Sequence, residues 1–269
     1  LTSWVRFRSA AGRTGFGTHD AERVLEYAGD MFDSPQATGA TLAADTLSVL
    51  APCAPSKIVA LWNNFHALAA KIGKPAAAHP LYLIKPSTSV IGDRARIERP
   101  LDYAGKIAFE GELGIVIGRR CHNISADQAA DYIFGYTCVN DVTAVGVMNE
   151  NADFTQWCRS KGYDTFGCLG PSIATDLQWR TSSVVTRLDG VERQRYPLSD
   201  MIFPPEDLVS LISRDMSLLP GDVIACGTSL GVGSMPDGAT VEVTIDGIGC
   251  LSNTLDLRAA LRPQHERQA

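Results

Sequence analysis

Phe109-Glu110-Gly111-Glu112-Leu113-Gly114-Ile115-Val116-Ile117-Gly118 sets two carboxylates in an otherwise apolar run. Side chains of an extended strand alternate between faces, so Glu110 and Glu112 are expected to point the same way while Phe109, Leu113 and the Ile-Val-Ile run supply packing. Burying two unpaired carboxylates side by side is prohibitive. A hard divalent cation with oxygen ligands turns that cost into a binding site. An exposed edge strand with solvated glutamates satisfies the same ten residues, and the motif alone leaves both readings open.

Working outward, Ser125-Ala126-Asp127-Gln128 has the form of a capping box, predicting a helix to about Phe134 that Gly135 ends. The apolar strand Tyr136 to Val139 then runs into Asn140-Asp141. A carboxylate at that strand's mouth can close on Glu110 and Glu112. Three such ligands leave about three positions of an octahedral Mg²⁺ or Mn²⁺ for water and substrate. Taken alone, Asp141 reads more readily as a turn residue capping its own backbone.

Before the glutamates, residues 4–9 alternate as a strand and 11–17 read as a glycine-rich turn. The stretch to residue 52 has little period and is assigned to a small N-terminal subdomain. Pro52 and Pro55 mark a boundary before the apolar strand Lys57 to Leu61, where the main domain, residues 53–262, begins. Leu81 to Ile84 is a second buried strand. After Asp141 the pattern is mostly short strands: a hairpin turning at Asp189-Gly190, another at Asp246-Gly247, and one helix from Glu206 to about Ser213 behind Pro204-Pro205. A glycine-rich loop, Gly227 to Gly233, follows the strand Val223 to Cys226. Residues 263–269 read as a polar tail. The sum is a mixed α/β, β-dominated fold.

Composition narrows the function classes. The 269 residues are 45% hydrophobic, enough for a large core, without an apolar run of membrane length or a leader-like start, so a cytoplasmic protein is expected. Seven cysteines without a Cys-x-x-Cys pair fit free thiols rather than a zinc knuckle or disulfide frame. With 30 acidic against 24 basic residues and no basic run, nucleic acid and anionic membranes are poor partners.

Five motifs, in order over about 200 residues, carry a resemblance. They are the Glu-Gly-Glu-Leu strand; Gly135-Tyr136-Thr137 with Asn140-Asp141; Ser160-Lys161-Gly162-Tyr163-Asp164 with Gly170-Pro171; Pro220-Gly221-Asp222 with Gly227-Thr228 and Gly231-Val232-Gly233; and Gly247-Ile248-Gly249 with Leu251 and Asn253. From Lys57 to about Leu255 the chain resembles the fumarylacetoacetate hydrolase family. The resemblance implies a β-roll with a small N-terminal subdomain, a homodimer, and Mg²⁺ or Mn²⁺ on Glu110, Glu112 and Asp141. It further implies Lys161 beside the metal, Thr228 and Gly227 holding the carboxylate of a small anionic 2-oxo acid, and Asn64 and Gln194 near the pocket. The glycines around Thr228 independently suit close approach of backbone N–H groups to an anion.

The departures bear on which bond breaks. Many family members read Asn-Tyr-x-x-His-x-x-Glu after the first strand, the His and Glu forming a water-activating base. Laid over Asn64-Phe65, those places hold Leu68 and Lys71, and His66 is the substitute base the segment offers. The family's arginine after the Asn-Asp motif is Val145, and a glutamine three residues on is Met148. The leading expectation is hydrolytic C–C cleavage of an acylpyruvate-type acid, as in aromatic catabolism. Decarboxylation, keto–enol isomerisation or hydration on the same metal needs no such dyad and is the alternative. A non-catalytic dicarboxylate-binding member is the third.

Overall fold

The computed structural model describes residues 2–20 and 22–256. Its largest sheet has 12 strands, and its main path runs Asp33–Ala43, Arg23–Asp30, Thr14–His19, Thr2–Arg8, Gly167–Thr175, Ile133–Asp141, Gly111–Ile117, Val223–Ala225, Lys57–Trp62 and Leu81–Pro86. Two smaller sheets pack beside it. One joins Thr143–Ala144, Ile107–Phe109 and Gly233–Met235; the other orders Val191–Pro197, Ser183–Leu188, Thr240–Ile245, Gly249–Leu255 and Arg96–Ile97. The mixed, β-dominated fold is the one the strand pattern calls for. One apolar cluster, including Phe65, Phe109, Leu113, Ile115, Phe166, Val243 and Leu251, fills the space between the sheets.

The N-terminal residues form an antiparallel meander whose first strand pairs with Gly167–Thr175, Trp4 opposite Ile173. One expectation is corrected here. The turn is confined to Ser9 through Arg13, and residues 14–17 lie in a strand. Gly15 and Gly17 serve close packing: a Cβ on Gly15 would sit 2.6 Å from the Phe7 ring, and one on Gly17 2.1 Å from the Leu25 carbonyl. The stretch lacking a period is also strand, because Asp33–Ala43 is largely exposed and has no buried face to impose alternation.

The capping box is present at Ser125 and Gln128, but it opens a 3₁₀ helix, Ala126–Tyr132. The next strand begins at Ile133, so Gly135 lies inside it rather than ending a helix. A Cβ there would meet the Ala174 carbonyl at 2.5 Å. The glutamate stretch is likewise not one strand. Ile107–Phe109 belongs to the three-stranded sheet and Gly111–Ile117 to the large one, and the chain crosses between them at Glu110. The polar tail expected at 263–269 lies outside the described residues.

Asp222 ties the strands behind the site. Its buried carboxylate accepts hydrogen bonds from Ser56 N and Oγ (2.9 and 2.6 Å), Lys57 N (3.2 Å) and Leu219 N (2.9 Å), and pairs with Lys57 Nζ at 2.5 Å. This fixes Lys57–Trp62 parallel to Val223–Ala225, the strand that delivers Gly227 and Thr228. Removing one partner of a buried pair strands the other charge. Asp222→Ala is therefore expected to lower the unfolding free energy in urea by about 3–5 kcal/mol.

Candidate metal centre

Glu110, Glu112 and Asp141 converge, one carboxylate oxygen of each lying within 4.8 Å of the others. Glu110 is positioned by its backbone: its N–H donates to Asn140 Oδ1 (3.0 Å) and its carbonyl accepts from Asp141 N (2.9 Å). Glu112 points inward from the first turn of pleat after the crossing and is fully buried. Its Oε2 accepts the Gly227 N–H (2.8 Å), while its Oε1 is buried without a partner among the described residues. Asp141 ends its strand with both oxygens engaged, Oδ1 by Lys85 Nζ (2.5 Å) and Oδ2 by Lys161 Nζ (2.6 Å). Lys161 also donates to Glu110 Oε1 (2.9 Å) and Thr143 Oγ1 (2.7 Å), and the Thr143 hydroxyl donates to Glu110 Oε1 (2.8 Å).

The electrostatics follow from this geometry. Burial alone would raise the Asp141 carboxyl, but Lys161 and then Lys85 outweigh it and hold Asp141 below the ordinary range. Burial likewise works against charge on Lys161, and Asp141, Glu110 and Glu112 reverse that, keeping it a firm cation. Lys85, wholly buried, is lowered chiefly by desolvation, with Asp141 opposing. Glu112 is pushed well above its usual value by burial and by the charges of Asp141 and Glu110. Three carboxylates against two ammoniums leave one negative charge too many, and the orphaned Glu112 oxygen is where it is felt. An oxygen donor set of this kind fits a hard divalent cation, whose arrival would leave the cluster one charge positive.

Of the residues singled out from sequence, the structure brings Glu110, Glu112, Asp141, Lys161 and Gly227 together. Thr228 and Gln194 lie one layer behind. The Thr228 hydroxyl donates to the Gly111 carbonyl (3.0 Å), while Gln194 accepts the Gly111 N–H (3.0 Å) and donates to Thr228 Oγ1 (2.9 Å). Asn64 is spent on the backbone, donating to Cys226 O (2.9 Å) and Phe203 O (3.2 Å) and accepting from Phe203 N (2.9 Å). His66 opens the helix His66–Ile72, is exposed, and makes no hydrogen bond to the carboxylates among the described residues. Leu68 packs against the core and Lys71 is exposed.

Lys85, Thr143 and Tyr196 escaped the sequence reading. A signal existed for Lys85: it shares the period-2 face of the buried Leu83, which places a lysine on a strand's inner side. Tyr196 donates its hydroxyl to the Gly111 carbonyl at 2.6 Å. Burial first, then the charge of Glu112, holds its phenol well above the usual range, so it remains a donor. All seven cysteines are free. Among the described residues no helix is long and apolar enough to cross a membrane.

The fold and the carboxylate cluster define a class: a β-roll protein with three carboxylates, grouped as a cation could be held, between its sheets. The fumarylacetoacetate (FAA) hydrolase C-terminal model matches residues 57–256, and an Rv2993c-like N-terminal model matches residues 3–52. The chain belongs to the fumarylacetoacetate hydrolase family. The structure of 2-hydroxyhepta-2,4-diene-1,7-dioate isomerase from Mycobacterium marinum superposes with a TM-score of 0.87 at 36% identity, covering 96% of this chain and 100% of that one. Oxaloacetate tautomerase YisK of Bacillus subtilis is 34% identical over 214 residues, 75% of this chain and 70% of that protein. Fumarylpyruvate hydrolase from Pseudomonas aeruginosa, in complex with Mn²⁺ and pyruvate, gives a TM-score of 0.70 at 26% identity over 78% of this chain and 92% of that one. Hydrolase, isomerase and tautomerase thus all occur among its relatives.

A buried carboxylate with an unpaired oxygen stabilises the folded chain only once a cation arrives. Glu112→Gln is therefore expected to make the metal-free protein more resistant to urea, by about 1–3 kcal/mol. The same substitution should abolish the added stability that Mn²⁺ gives the unsubstituted protein. A metal-free variant less stable than its parent would contradict this account.

Proposed function

We propose that this protein catalyses keto–enol proton transfer on a small 2-oxo dicarboxylic acid of the oxaloacetate type, with Mg²⁺ or Mn²⁺ held by Glu110, Glu112 and Asp141. The observation that carries the reading is the segment Asn63 to Lys71. Where many family members place a water-activating His and Glu, Leu68 is half-buried against the core and Lys71 lies in solvent. Proton transfer beside a carbonyl needs no activated water, and neither does loss of CO₂. The tautomerase and isomerase relatives support the same choice. A homodimeric, cytoplasmic protein without nucleic-acid or membrane partners accords with this role.

When bound, the divalent ion supplies Lewis-acid charge for the developing oxyanion. Lys161 supplies the second positive charge, at an Nζ fixed by Asp141, Glu110 and Thr143 so that little reorganisation accompanies reaction. Glu110 is the most open of the three carboxylates, its side chain 17% exposed against 1% for Asp141. With its Oε1 taken by Lys161 and Thr143, its other oxygen is the one open to the ion. Gly227, through its N–H, orients Glu112.

Hydrolysis of an acylpyruvate is the second reading, and His66 favours it. The imidazole is exposed two residues after Asn64, which is anchored to Cys226 beside the site, and could serve as base from the first helical turn. The Mn²⁺ form should be offered enol oxaloacetate, with ketonisation followed by absorbance, and in parallel an acylpyruvate, with carboxylate products quantified. We expect ketonisation to dominate, and Lys161→Met to slow it by about 10²-fold or more. Faster acylpyruvate cleavage that is lost in His66→Ala would replace this proposal with the hydrolytic one.

A further inference from the structure

Glycine is the least constrained residue in a chain. Gly111 is nonetheless the joint between Glu110 and Glu112, at the point where the backbone passes from one sheet to another. Two like charges on either side of a free joint would swing apart, so the joint must be held from outside. Its N–H is taken by Gln194 Oε1 (3.0 Å), and its carbonyl accepts from both Thr228 Oγ1 (3.0 Å) and Tyr196 Oη (2.6 Å), filling both lone pairs. Gln194 Nε2 donates to Thr228 Oγ1 (2.9 Å), closing the ring of contacts.

The strand Val191–Pro197 buries two of its seven residues, Gln194 and Tyr196, and each spends a polar atom on Gly111. A strand serving only to cover a core would present apolar side chains there. The Tyr196 ring is braced by Phe65, edge to face at 4.9 Å. A Cβ at Gly111 would lie 2.0 Å from Thr186 Oγ1, so the adjoining strand leaves no room for another residue at the joint.

We infer that Tyr196 is a positioning residue of the metal centre, its hydroxyl setting the Gly111 peptide so that Glu110 and Glu112 present one cation site. The inference rests on the metal reading above. Groups that orient metal ligands without touching the ion typically contribute 10–100-fold to affinity. Tyr196→Phe keeps the ring and its contact with Phe65 and deletes only the hydroxyl. Phe65→Leu does the reverse, loosening the packing and sparing the hydrogen bond.

Titration with MnCl₂ in a calorimeter, alongside thermal melts of the metal-free proteins, separates the two effects. We expect Tyr196→Phe to weaken Mn²⁺ binding by about 10-fold or more with a melting temperature close to the parent's. Phe65→Leu should melt earlier yet bind Mn²⁺ like the parent. An unchanged affinity in Tyr196→Phe, or an equal loss in Phe65→Leu, overturns the inference while the metal reading stands. A parent protein that binds no Mn²⁺ overturns both.

Discussion

Like charge held close in a dry place is the constraint from which the rest of this structure follows. Glu112 is wholly buried with one oxygen unanswered, Asp141 is buried beside it, and Glu110 completes the group within 4.8 Å. Lys85 and Lys161 answer Asp141 directly and Lys161 answers Glu110, yet among the described residues no ammonium bonds to Glu112. The stability the chain forgoes here must come from elsewhere, and the large apolar cluster between the sheets is the source. A divalent ion is the natural completion, since it converts the deficit into a surplus of positive charge suited to an anionic substrate.

Building such a centre requires groups from distant parts of the chain to arrive in fixed orientation. The large sheet brings Glu112 and Asp141 onto neighbouring strands, with Glu112 opposite Val139 in register. Lys57–Trp62 pairs with the strand that carries Lys85, Val223–Ala225 leads into the Gly227 loop, and Asp222 ties these two neighbours together. The five-stranded sheet then presses on Gly111 from the other side through Thr186, Gln194 and Tyr196. The site lies where the layers meet, and each layer supplies a different part of it: ligands, countercharges and the brace behind them.

One scaffold serves more than one chemistry among the relatives of this chain. The relatives include a hydrolase, an isomerase and a tautomerase on the same scaffold. In this chain the helix His66–Ile72 shows the change most clearly. Leu68 is half-buried against the core while His66 and Lys71 face solvent.

Local sequence carried a good deal of this. The motif marked Glu110 and Glu112 as a pair and the Asn140-Asp141 strand end marked the third carboxylate of the cluster, and the capping box at Ser125 and the hairpin turn at Asp189-Gly190 stand where their residue types require them. These features depend on side-chain period and backbone preference within a few residues, which is information a linear chain contains. Other features were decided only by tertiary structure. The break at Glu110, the use of Gly15, Gly17 and Gly135 for strand contact, and the burial of Lys85 and Tyr196 depend on which layer lies against which. A glycine's missing side chain, or a lysine's choice of partner, is fixed by atoms contributed from tens of residues away, and no local period encodes that proximity.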